Sequence, residues 1–206
     1  MLAYLLNAFS GPAGVFMYAL LAVLAFAVAV LAERAWTLWA ARCDADTLLG
    51  KVEPAIGAGT AAGLRLGDTP MERVVTAGLA HSDPELAWDA MANAAIGAEQ
   101  HIRRRVPYLS TVASVSTMIG LFGTVYGLIL AFGALGDVAA AERAARLSEG
   151  SSTAMASTAF GLLVAIPSLA AHAFVDAQAR TMLAEIERAA GRVALAWKAK
   201  ARAGSA

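Results

Sequence analysis

Residues 106–136 read VPYLSTVASVSTMIGLFGTVYGLILAFGALG, 31 positions without an Asp, Glu, Lys or Arg. A helix rises about 1.5 Å per residue, so about 20 apolar residues cross ~30 Å of hydrocarbon. The stretch holds one crossing and is too short for two. Working outward, two more charge-free runs appear, residues 1–32 before it and residues 150–175 after it. Each again holds one crossing. The expected fold is therefore all-α and integral to a membrane, with transmembrane helices over 13–33, 109–136 and 151–175.

Composition agrees. Of 206 residues, 59% are hydrophobic and 16% charged, against roughly 25% charged in an average soluble domain. Mean hydropathy is +0.61. The sixteen acids balance the sixteen bases, so no net field calls for nucleic acid. The single cysteine, Cys43, excludes an internal disulfide and any multi-cysteine metal site. His81, His101 and His172 are isolated, and no paired carboxylates or nucleophile–base pair stands in or near a span. The pattern points away from an enzyme and calls for no metal or cofactor.

The first run lacks the positive residue that opens a signal peptide. Ser10-Gly11-Pro12 splits it, so residues 1–12 are expected as an interfacial segment, with Tyr4 and Phe9 at the headgroups. Trp36 and Trp39 follow the first span, where an aromatic belt belongs. Lys and Arg number none before that span, eight over residues 33–108, two between the later spans and six after the third. The positive-inside rule then places the N-terminus outside. It makes 34–108 a cytoplasmic loop, 137–150 a periplasmic hairpin and 176–206 a cytoplasmic C-terminal helix.

The cytoplasmic parts read as helical extensions of the spans. Residues 40–68 carry weak periodicity. Thr69-Pro70-Met71-Glu72 is an N-cap, a proline at the first helical position and a capping-box Glu. Asp83-Pro84 repeats the first two. Leu86, Met91, Ala95, Ala98, Ile102 and Val106 then recur at helical spacing, and Pro107 either kinks the helix or lets it run on into the membrane. In the tail, Leu183, Ile186, Ala190, Val193 and Trp197 form a 3,4 stripe, suited to packing within the chain or against copies of it.

At 3.6 residues per turn, Thr117, Gly120, Thr124, Gly127 and Ala131 share one face of the second span. Ala154, Thr158, Gly161, Ala165, Ser168 and His172 do the same in the third. Small residues let membrane helices approach closely, and Gly123-to-Gly127 has GxxxG spacing. The same stripes suit the lining of a cavity that receives another helix or passes small ions. No charged residue lies inside the three charge-free runs, 1–32, 106–136 and 150–175. An intramembrane carboxylate usually marks a proton or ion route, so any titrating acid must come from a partner.

Two strings carry a family resemblance. Residues 119–129, IGLFGTVYGLI, and residues 157–167, STAFGLLVAIP, resemble the second- and third-helix motifs of the ExbB/TolQ/MotA proton-channel family, in its three-span ExbB/TolQ-like branch. The resemblance implies a homo-oligomer, a pentamer, in the bacterial inner membrane. The ring would enclose an ExbD/TolR-like single-span partner bearing a membrane Asp, with a TonB-like or other envelope protein beyond it. It implies coupling of proton flow to outer-membrane uptake, Tol-type envelope function or gliding motility. Thr124 and Thr158 match the motif threonines and are the implied proton-path residues. Thr153 stands where the family often carries Glu, and is grouped with the stripe residues as pore-lining. The competing reading is a non-conducting scaffold that assembles an envelope complex.

Overall fold

The computed structural model describes Phe9, residues 14–133 and residues 140–204. The expected interfacial segment, apart from Phe9, and residues 134–139 of the second span's end and the hairpin lie outside the described residues. Among the described residues six α-helices follow in order: α1 Gly14–Ala40, α2 Ala45–Ala58, α3 Pro70–Leu79, α4 Pro84–Arg103, α5 Val106–Gly133 and α6 Ala140–Gly204. One 3-10 turn, Ala61–Gly63, joins α2 to α3. No strand occurs among the described residues. Among the described residues three helical stretches are long and apolar enough to cross a membrane, one around each charge-free run.

The chain divides into two compact units. The first comprises residues 1–33 and 105–174, and so holds the start of α1, all of α5 and the first part of α6. Its apolar core is Met17 and Leu20 of α1 against Ala156, Phe160 and Val164 of α6, with Phe9, Leu24 and Ile119 packed on it. Phe16 meets Phe122 and Tyr126 edge-on, with ring centroids 5.4 and 5.3 Å apart, a favourable arrangement for aromatic quadrupoles.

The second unit comprises residues 34–104 and 175–206. Here short amphipathic helices bury one face each. Leu48, Leu49, Val52 and Ile56 of α2, Val74 and Val75 of α3, and Ile186, Val193 and Trp197 of α6 are buried. The predicted starts of α3 and α4 are present. The Thr69 hydroxyl accepts from the Glu72 amide at 3.4 Å, and Glu72 accepts from the Thr69 amide at 3.0 Å. Asp83 accepts from the amides of Glu85 and Leu86 at 2.7 and 3.1 Å. Of the tail stripe, Ile186, Ala190, Val193 and Trp197 are buried within the chain, and Leu183 is half-buried. Of the α4 stripe, Met91, Ala98 and Ile102 are buried, whereas Leu86 is exposed and Ala87 takes its place.

Two features differ from the sequence reading. Residues 45–58 form a helix where only weak periodicity was read. Asp44 caps it, accepting from the Asp46 amide at 3.2 Å, and Gly59 ends it in the left-handed region at φ 78°. Pro54 inside this helix is what masks it in sequence, since proline normally breaks a helix interior. At Pro107 the chain breaks rather than bends. Helix α4 stops at Arg103, Arg105 takes φ 63° and α5 begins at Val106. A proline lacks its N–H and crowds the carbonyl four residues back. Pro107 is therefore accommodated in the first turn of a new helix, where that N–H has no intrahelical partner anyway.

Hydrogen bonds from Thr69 hold the Glu72 carboxyl below its ordinary value. A lowered folded value stabilises the fold above the unfolded carboxyl's range and is lost as pH falls through the folded value. Thr69→Ala is expected to lower stability by about 0.5–2 kcal/mol at neutral pH. The deficit should shrink in acid below the folded value. Thermal melts followed by helical circular dichroism at the two pH values check this.

Candidate functional site

The small-residue faces of α5 and α6 meet each other inside the first unit. A β-carbon added at Gly161 would lie 2.8 Å from the Ser116 carbonyl oxygen and 3.0 Å from Gly120 Cα. One added at Gly120 would lie 3.0 Å from the Ser157 carbonyl oxygen. At Gly161 a β-carbon would force backbone to shift, and at Gly120 it would press on the backbone of α6. The contact continues through Gly127, beside Ala154, to Ala131, beside Gly150. Without a hydrophobic drive between helices in lipid, such close backbone packing and interhelical hydrogen bonds are what hold spans together.

On one flank of the crossing the two motif threonines come together. The hydroxyls of Thr124 and Thr158 are hydrogen-bonded to each other. Thr158 Oγ1 also reaches the Gly120 carbonyl at 3.1 Å, and Thr124 Oγ1 reaches the carbonyls of Gly120 at 3.2 Å and Ala154 at 3.3 Å. Both threonines are half-buried. Four oxygens thus converge within a stretch that holds no charged side chain. The two hydroxyls have two protons for two carbonyls and each other. Their internal bonds use both protons, and a hydroxyl oxygen keeps acceptor capacity beyond the bond it donates.

The other residues of the stripes take different places. Gly120, Gly127, Ala131, Ala154, Gly161, Ala165 and Ser168 are buried. Ser168 donates to the Val164 carbonyl at 2.8 Å, one turn back from the Pro167 region. Thr117 is exposed and donates to Ala113 at 3.0 Å. Thr153 is half-buried and donates to Glu149 at 3.0 Å, and His172 is half-buried. The faces opposite the stripes are open: Leu121, Phe122, Phe132, Leu162, Leu163 and Leu169 are all exposed.

Two serines at this interface were not singled out by sequence. Ser157 is fully buried, with its side chain where a β-carbon on Gly123 would fall, and donates to Thr153. Ser116 is also fully buried, and its hydroxyl has no hydrogen-bond partner among the described residues. Helical periodicity puts Ser116 one turn before Gly120, which was the available signal. A serine beside three other hydroxyl residues carries no distinguishing mark in sequence.

The fold and site define a multi-pass helical membrane protein with a hydroxyl and carbonyl cluster between two tightly crossed spans. The comparison with known proteins makes the class specific. The chain belongs to the MotA/TolQ/ExbB proton channel family, whose model matches residues 67–188. It is similar to the Tol-Pal system protein TolQ of Haemophilus influenzae, 45% identical over 73 residues, covering 35% of this chain and 32% of that relative. It is similar to the Tol-Pal system protein TolQ of Pseudomonas aeruginosa, 34% identical over 105 residues, covering 49% and 45%. The biopolymer transport protein ExbB of Aquifex aeolicus is 34% identical over 89 residues, covering 43% and 60%. The chain therefore spans between about a third and three-fifths of these relatives' lengths. With its three apolar helices, it is a protein of the inner membrane.

Forcing a branched side chain into the crossing should separate the helices. Gly161→Val is expected to cost about 1–3 kcal/mol by overpacking, whereas Gly191→Ala, with open space around its β-carbon, should leave stability unchanged or raise it. Unfolding in mixed micelles measures both.

Proposed function

We infer that this chain is the ring-forming subunit of an inner-membrane proton channel or motor. Several copies, five by family resemblance, surround an ExbD/TolR-like single-span partner that carries a membrane Asp. Proton flow is coupled to work across the envelope, of the outer-membrane uptake, Tol-type or gliding kind, through a TonB-like or other envelope protein. The observation that carries this reading is the meeting of Thr124 and Thr158, with the Gly120 and Ala154 carbonyls, in spans that contain no acid of their own. A proton relay across hydrocarbon needs a titrating group. The chain provides oxygens that can orient a water or a carboxyl but not the acid, which is the division of labour the reading requires. The distribution of Lys and Arg supports an outward N-terminus and a cytoplasmic tail.

A second reading has an observation of its own. The stripe glycines and alanines are consumed in packing α5 against α6 within one chain, which is also what a non-conducting scaffold would need.

Proton uptake into vesicles holding the chain with its co-purified single-span partner separates the two. Thr158→Val should lower uptake by about tenfold, equivalent to about 1.4 kcal/mol on the barrier, and Thr158→Ser should keep most of it. Uptake unchanged in Thr158→Val removes this threonine from the path. No uptake by the unaltered complex under an imposed gradient favours the scaffold.

A further inference from the structure

Helices α1 and α5 leave an open groove of about 480 Å³ on the membrane unit, lined by Ala22 and Phe26 on one side and Tyr108, Thr111 and Val115 on the other. Its wall is almost wholly apolar. The Thr111 hydroxyl donates to the Pro107 carbonyl at 3.3 Å, and the centroids of the Phe26 and Tyr108 rings lie 6.5 Å apart. From Tyr108 to Val115 the groove runs about 10 Å at 1.5 Å per residue. It lies inside the charge-free runs of both helices, so its surroundings are hydrocarbon.

What stands at one end of the groove is specific. Glu33 lies two turns after Phe26 on the same stripe of α1, and Arg105 lies just before α5, three residues ahead of Tyr108. Their side chains form an ion pair, and each stays 39% exposed. This ion pair stands beyond the apolar lining, two turns past Phe26 along α1 and three residues ahead of Tyr108, at the edge of the charge-free runs.

We propose that this groove is a binding site for one phospholipid with a zwitterionic, primary-ammonium headgroup. An acyl chain fills the apolar channel, the phosphate lies on the Arg105 guanidinium and the ammonium on the Glu33 carboxylate. Charge complementarity selects the headgroup. An anionic glycerol headgroup meets Arg105 but leaves Glu33 facing another negative or neutral group. A choline headgroup carries the right charges but has no N–H to give the carboxylate. A second copy of the chain would fill the apolar channel but offers no reason for a mixed charge pair at its head.

Native mass spectrometry of the full chain, stripped of lipid and returned to phosphatidylethanolamine, phosphatidylglycerol or phosphatidylcholine with matched acyl chains, tests this. One phosphatidylethanolamine should be retained per chain, with about tenfold tighter retention than either of the others, about 1.4 kcal/mol. Ala22→Trp, which fills the groove and leaves the ion pair in place, should abolish that retention. Glu33→Gln should reduce phosphatidylethanolamine to the level of phosphatidylglycerol. Equal retention of the three lipids overturns the proposal, as does retention that survives Ala22→Trp. Disulfide-linked dimers formed through Val23→Cys in membranes, in a Cys43→Ser background, would show the groove covered by a second copy and would overturn it too.

Discussion

The close approach of Gly120 and Gly161 is the constraint on which the membrane unit depends. Lipid tails are as apolar as leucine, so burying Leu121 or Leu162 between helices gains little there. What is gained comes from backbones near enough for dispersion and for hydroxyl-to-carbonyl bonds across the crossing. A β-carbon at either glycine would push the helices apart. The Thr124 and Thr158 hydroxyls would then lose each other, Thr124 would lose the Ala154 carbonyl and Thr158 the Gly120 carbonyl. The same packing leaves Leu121, Phe132, Leu162, Leu163 and Leu169 exposed, where lipid, another copy or a partner helix can take them.

The apolar runs hold no charge, and outside them several charges are paired. In the first unit Glu33 meets Arg105. In the second, Asp176 takes Arg103 at 3.2 Å and Arg180 at 2.8 Å, while Arg192 takes Glu53 at 2.8 Å. Such exposed pairs each contribute about 0–1 kcal/mol. The pairs of Glu33 with Arg105 and of Asp176 with Arg103 stand where apolar runs end and are better described as fixing the chain there than as a source of stability. The left-handed backbone at Arg105 belongs to the same place: the chain ends one helix and begins another within two residues, so that Pro107 falls where a missing N–H is harmless.

The second unit is stabilised differently. Two of its helices, α2 and α3, have 14 and 10 residues, and isolated helices below about 12–15 residues are marginal in water. They depend on caps and on one buried face each. Asp44, Thr69 and Asp83 supply the caps. Gly78 lets α3 close against α4, since a β-carbon there would fall on the Met91 side chain.

Charge-free runs, caps and helical stripes determined much of this protein by sequence alone. Hydrocarbon admits few charges and no unsatisfied backbone, so 31 uncharged residues can only be a spanning helix when flanked as these are. Thr69 and Asp83 announced helix starts because cap chemistry is local. The stripes of Thr124 and Thr158 were legible for the same reason, since a helix face follows from spacing. What lay opposite those faces was not legible. Only the tertiary structure decided that the two stripes pack on each other, that the threonine hydroxyls share the Gly120 carbonyl, and that Ser116 and Ser157 are buried beside them. It also decided that Asp44 caps a helix through Pro54 and that Pro107 marks a break. These outcomes turn on which surfaces meet and at what distance, and residue spacing along one helix carries no information about the helix it will face.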